Sequence, residues 1–187
     1  RFWIPDNVFL IGTMNTADRS IALLDTALRR RFGFIELMPD YSLLTDAVVG
    51  ESIPLGLWLS AVNDRIRTHL GHDARNQQIG HAYLIENGRP VADFAHFSRI
   101  LAEDILPLLE EYCYEDYASL ALILGQGLVD EGRQRIRGEL FDSGRRDDLI
   151  QALLAPNPDI ATSPQVVTLD EIADEPEDAE SDEEASG

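Results

Sequence analysis

The sequence predicts an α/β fragment: the last strands of a parallel sheet, then a mostly helical subdomain, then a disordered acidic tail. Three observations predict it. Val8-Phe9-Leu10-Ile11 is a continuous apolar run of strand length, the pattern of a strand buried on both faces. Beyond Pro39, apolar residues recur at helical spacing. Asp159 to Glu184 carries 11 acids and no base, with few large apolar residues to offset the entropy of ordering.

Taken in order, the first strand is entered through Pro5-Asp6-Asn7 and left through Gly12-Thr13. Asp25 stands where an N-cap would be, ahead of a short helix over Thr26 to Arg30. Phe32 to Leu37 reads as a second strand closed by Pro39. Two strands cannot make a stable parallel sheet alone, so further strands are expected upstream. The chain also begins with Arg1 rather than Met, as a piece of a longer protein would.

Leu59, Val62, Ile66 and Leu70 form the apolar stripe of a helix that ends at Gly71, with Asn63, Asp64, Arg65 and Arg67 on its polar face. Gln78 to Leu84 followed by Asn87-Gly88 predicts a short extended element or hairpin. A second helix, about Asp93 to Tyr112, has the stripe Phe94, Phe97, Leu101, Ile105, Leu108 and Tyr112, with Pro107 expected to bend or divide it. A third, about Asp116 to Leu124, is apolar nearly all round and stops at Gly125. Arg145 to Leu154 is a further short helix, ended before Pro156 and Pro158. The expected units are thus 1–39, the end of an α/β core; 40–127, a helical subdomain; 128–158, a helical extension; and 159–187, the tail.

Composition narrows the function. The 187 residues hold 34 acids against 15 cations, all Arg, for a net charge of −19; without the tail's 11 acids the balance is 23 against 15, or −8. A negative body argues against broad phosphate-backbone binding. No run approaches ~18 apolar residues, and no basic start precedes an apolar run, so a soluble, cytoplasmic chain without membrane contact is expected. Cys113 is the single cysteine and cannot form an internal disulfide.

The densest polar signal, Gly12-Thr13-Met14-Asn15-Thr16-Ala17-Asp18-Arg19-Ser20, lies at the carboxyl end of the first predicted strand, where open α/β sheets bind ligands. Asn15 there could hold a water, and Asp18 and Arg19 could set the loop; equally, Asn15 and Asp18 are turn formers. Asn15 to Asp18 also fits the N-x-x-D spacing with which small GTPases grip guanine, although Thr16 stands where those proteins usually carry Lys. The second signal is Arg29-Arg30-Arg31. Three adjacent guanidinium groups suit phosphate oxygens, or form a solvated corner paired with nearby acids. His69 and His72 straddle a helix end with no further ligands clustered nearby, so no metal site is predicted.

In combination, Ile4-Pro5-Asp6-Asn7, Ile11 to Ser20 and Leu24-Asp25-Thr26-Ala27-Leu28-Arg29-Arg30-Arg31-Phe32 resemble the McrB family of AAA+ nucleoside triphosphatases, the GTP-dependent motor subunits of methylcytosine-directed restriction systems. Gln78-Ile79-Gly80-His81-Ala82-Tyr83 resembles the family's I-G-H-S-Y segment, and Ile105 to Tyr112 its P-L-L-E-E-Y helix, so the resemblance covers about residues 1 to 125. It implies a P-loop NTPase (AAA+) fold whose last core strands precede a helical lid. It further implies that Asn15 is the sensor 1 residue positioning the attacking water. Arg31, or secondly Arg30, would be the arginine finger that reaches a neighbouring subunit's nucleotide. Arg29 would support that interface, and Thr13, Asp18 and Arg19 would belong to the nucleotide and interface loop. Arg99 is a candidate for the lid's sensor 2, and His81 for a hydrogen-bonded structural residue.

The implied cofactors are Mg²⁺ with GTP or ATP. The implied partners are further copies in a hexameric ring, a McrC-like nuclease subunit, and DNA indirectly through other domains. The sequence departs from the family pattern by having no G-x-x-x-x-G-K-[ST] phosphate loop, no Lys, and no apolar strand ending in Asp-Glu ahead of Asn15. By itself the chain is therefore expected to be inactive. Two other readings remain open here: a non-catalytic module supplying Arg30 and Arg31 to another motor subunit, and a helical adaptor without a nucleotide role.

Overall fold

The computed structural model describes residue 3 and residues 5–14, 26–71 and 74–161. Its core is built by the residues after Pro39. A 3₁₀ turn over Tyr41–Leu44 is capped by Asp40, whose carboxylate accepts from the Ser42 N–H. A short antiparallel pair follows, β1 (Val48–Val49) with β2 (Ile53–Pro54), and leads into α2 (Leu55–His69). The only helix before it among the described residues is α1 (Thr26–Arg29).

Helix α2 buries Leu55, Trp58, Leu59, Val62 and Ile66, the face that its 3.6-residue spacing predicts. It ends at Leu70, and Gly71 follows with a φ of +50°. Two residues on its expected polar face turn inward instead. Asn63 is fully buried, and Arg65 is half-buried with its Nε–H donating to the Ile123 carbonyl. That carbonyl lies in the last turn of another helix, where backbone acceptors lack intrahelical partners.

The predicted hairpin forms as β3 (Ile85–Glu86) and β4 (Arg89–Pro90), turned by Asn87 and Gly88 at φ 52° and 76°. The residues just before it, His81–Leu84, are a 3₁₀ turn rather than an extended element. The long second helix divides into α3 (Phe94–Ile100), a π turn (Leu101–Ile105) and α4 (Leu106–Cys113), with Pro107 in the first turn of α4. The π turn shifts the ladder just before it, the Leu106 N–H donating to the Leu101 carbonyl, and a proline without an N–H is accommodated at that irregularity. Helix α5 (Tyr117–Leu124) is capped by Asp116 and closed by Gly125. The pair β5 (Val129–Asp130) and β6 (Arg135–Ile136), and then α6 (Arg146–Leu154), complete the structure.

One apolar core unites these elements. Trp58 meets Phe97 edge-on at 5.3 Å, and Leu128, Leu149, Leu153 and Leu154 join the same cluster. The expected parallel strands do not form. Residues 8–11 and 32–37 adopt no strand, and Phe9, Leu10, Ile11, Ile35 and Leu37 are strongly exposed. The physical reason is the one that limits any two strands: without neighbours, the ladder has no partner for its N–H and C=O groups. All strand pairs among the described residues are antiparallel. Residues 158–161 form a 3₁₀ turn where the tail was expected to begin, and the remainder of the predicted disordered tail, 162–187, lies outside the described residues.

Candidate functional site

The signature segment begins at a turn in which the Val8 N–H donates to the Pro5 carbonyl at 3.1 Å. Thr13 follows on an exposed stretch. Asn15, Asp18 and Arg19 lie outside the described residues, as do Asp25 and His72. Arg29, Arg30 and Arg31 are exposed at the end of α1, and the Arg29 guanidinium stacks 5.5 Å from the centre of the Phe34 ring. Arg29 is therefore turned onto the following segment, whereas Arg30 and Arg31 occupy the turn leaving the helix.

That segment is tied to the helical region at two points. Arg75 pairs with Glu36 at 2.6 Å, and the Asp40 N–H donates to His81 Nδ1 at 2.9 Å. His81 thus has a structural hydrogen bond, as expected of it from the sequence. The segment itself is held by Asn63. The Ile79 N–H donates to Asn63 Oδ1 at 2.7 Å, and Asn63 Nδ2 donates to the Ile79 carbonyl at 2.9 Å and to the Tyr41 hydroxyl at 3.1 Å. Sequence reasoning missed Asn63. An Asn in the middle of an amphipathic helix, opposite a Gly-containing segment that needs backbone partners, was the only available signal.

The electrostatics follow from these bonds. Hydrogen bonds from the Ser42 hydroxyl and N–H hold the Asp40 carboxyl below its ordinary value, with a smaller contribution from His81. Desolvation lowers the Arg65 pKa against the opposing pull of Asp64. Burial pushes the Cys113 thiol up to about 11, so it is a packing group rather than a nucleophile. Arg99, the sensor 2 candidate, is exposed on α3 and lies 3.4 Å from Glu103 one turn on. Among the described residues, no group of three or more His, Cys, Asp or Glu side chains is placed to hold a metal ion, and no helix is long and apolar enough to cross a membrane.

Residues 54–121, from the end of β2 into α5, match the family model described as McrB, alpha-helical lid domain. The chain is also 37% identical, over 127 residues, to the type IV methyl-directed restriction enzyme EcoKMcrB subunit of Escherichia coli (strain K12). That similarity covers 62% of this chain and 28% of the relative, so the chain spans well under a third of the relative's length. These matches make the chain similar to McrB proteins, with residues 54–121 resembling their alpha-helical lid.

Proposed function

We propose that the chain is the carboxy-terminal part of a nucleoside triphosphatase in a McrB-like DNA restriction system, hydrolysing GTP or ATP within a hexameric ring that drives a McrC-like nuclease subunit. The observation that carries this reading is an exposed Arg29-Arg30-Arg31 corner on the amino-terminal side of a segment that matches the McrB lid, in a chain whose net charge is −19. Concentrated guanidinium charge in so acidic a chain needs an anionic partner, and a phosphoryl group in transfer is one.

In this reading Asn15 orients the attacking water through its side-chain amide, and Arg31, with Arg30 second, reaches the nucleotide of the neighbouring subunit. Arg29 supports the interface through its stack on Phe34, and Thr13, Asp18 and Arg19 shape the loop. Mg²⁺, when bound with nucleotide, neutralises phosphate charge. The phosphate-loop residues that hold it in P-loop enzymes are not in this chain, so its own share is confined to water orientation and charge stabilisation. DNA would be met through other domains of the assembly.

The test is Arg31→Ala in the full-length protein. An arginine finger is worth about 10³-fold or more in turnover, so kcat should fall by about that factor while the KM for nucleotide changes little. Unchanged turnover would sink the reading. Stimulation of a separate, intact motor subunit by this chain alone, abolished by Arg31→Ala, would instead favour a module acting only in trans.

A further inference from the structure

We infer that His81, Asn63 and Arg75 form a joint that positions the Arg29–Arg31 segment relative to the lid, and that they serve hydrolysis through the arginines without touching nucleotide. The inference rests on the trans-acting arginine proposed above.

The joint is built from both sides of one buried amide. Asn63, mid-way along α2, grips Ile79 through both its N–H and its carbonyl, two residues before His81. The same side chain donates to the hydroxyl of Tyr41, the residue after Asp40. Asp40 and His81 are then joined directly, backbone N–H to Nδ1 at 2.9 Å. A single fully buried side chain therefore fixes the neighbours of both partners in that bond. The connection continues outward. Arg75 holds Glu36 at 2.6 Å, and two residues earlier Phe34 carries the stacked Arg29 guanidinium.

The stretch between Arg31 and Pro39 has no strand ladder of its own, so these tie points are what the described structure offers to set its direction. A shift of the lid is thereby passed to the arginines. Arg75–Glu36 is solvent-exposed and is the weaker tie, since screened surface pairs contribute little. Asn63 cannot be removed without disturbing the lid interior. His81 is the informative residue, because its bond to the Asp40 N–H is exposed, so that water can take the acceptor's place when Nδ1 is removed.

The experiment compares His81→Phe, which keeps a ring and removes the acceptor, with His81→Asn, which restores an acceptor at the δ position, in the full-length protein with and without Arg31→Ala. His81→Phe should lower kcat by about two- to tenfold, the range expected for one net hydrogen bond, at unchanged nucleotide KM and thermal midpoint. His81→Asn should recover most of the loss, and His81→Phe should cost nothing further in the Arg31→Ala background. Unchanged kcat in His81→Phe overturns the joint, as does an equal fold-loss in both backgrounds. So does a loss that tracks the thermal midpoint and is not rescued by His81→Asn. If Arg31→Ala itself leaves kcat intact, the parent reading fails, and the joint's role in hydrolysis fails with it.

Discussion

Asn63 shows how far a single buried polar residue can organise a fold. Its amide satisfies the Ile79 N–H and carbonyl and reaches Tyr41, so truncation strands backbone groups in the interior as well as opening a cavity. Asn63→Ala should therefore cost about 2–4 kcal/mol in urea unfolding, whereas Asp64→Ala, on the exposed face, should cost less than about 0.5. Equal effects of the two would refute the clamp. Two carboxylates make a different prediction. Asp40 and Asp116 both sit below their ordinary value of 3.8, through hydrogen bonds from Ser42 and from Ser119 respectively. A depressed folded pKa means that fewer protons are bound when folded, so the stabilisation is complete above pH 3.8 and is lost as pH falls through the folded values. The thermal midpoint should show this acid limb, and Asp116→Ala should shrink it; an identical limb in the variant would exclude the Asp116 contribution.

Among the elements, the long helix around Pro107 is the clearest case of pattern and packing diverging. The expected stripe continued through Leu108 and Tyr112, yet the fully buried series runs Phe97, Leu101, Ile105 and Leu109 in steps of four. In an α-helix each four-residue step overshoots a full turn by about 40°, so the series would spiral off the core. The π turn over Leu101–Ile105 absorbs that drift and delivers Pro107 into the first turn of α4. The end of α5 is as constrained. Gly125 has a φ of +89°, and a Cβ there would lie 2.5 Å from Pro156 Cγ, where the chain after α6 crosses the helix end. Gly125→Ala combines backbone strain with a steric clash and should destabilise by about 1–3 kcal/mol in chemical denaturation. A neutral substitution would mean that this crossing is loose.

On the scale of the whole molecule, the lid match ends at residue 121, but the core does not. Leu128, Val129, Leu140, Leu149, Ala152, Leu153 and Leu154 are buried in the same cluster as α2 and α5. Cutting the chain after Leu124 should therefore expose lid surface and lower the stability reported by Trp58 fluorescence, whereas residues 1–161 should unfold with coincident fluorescence and helicity transitions. Two separated transitions would show the extension to be an independent unit. Much of this architecture was legible locally. Asp93 and Asp116 announced helix starts, Gly71 and Gly125 announced stops, Asn87-Gly88 announced the hairpin, and the signature blocks pointed to the McrB-like assignment. The strands at 8–11 and 32–37 were read from apolar runs alone, and an apolar run cannot supply the partners that a ladder requires. By itself, then, the sequence determined the helices of residues 55–154 and their caps, because each rests on residues within a turn or two of one another. Only the tertiary structure decided that Asn63 and Arg65 face inward and that His81 receives Asp40. Those bonds join residues 16, 58 and 41 positions apart, and side chains so separated leave no local pattern to read.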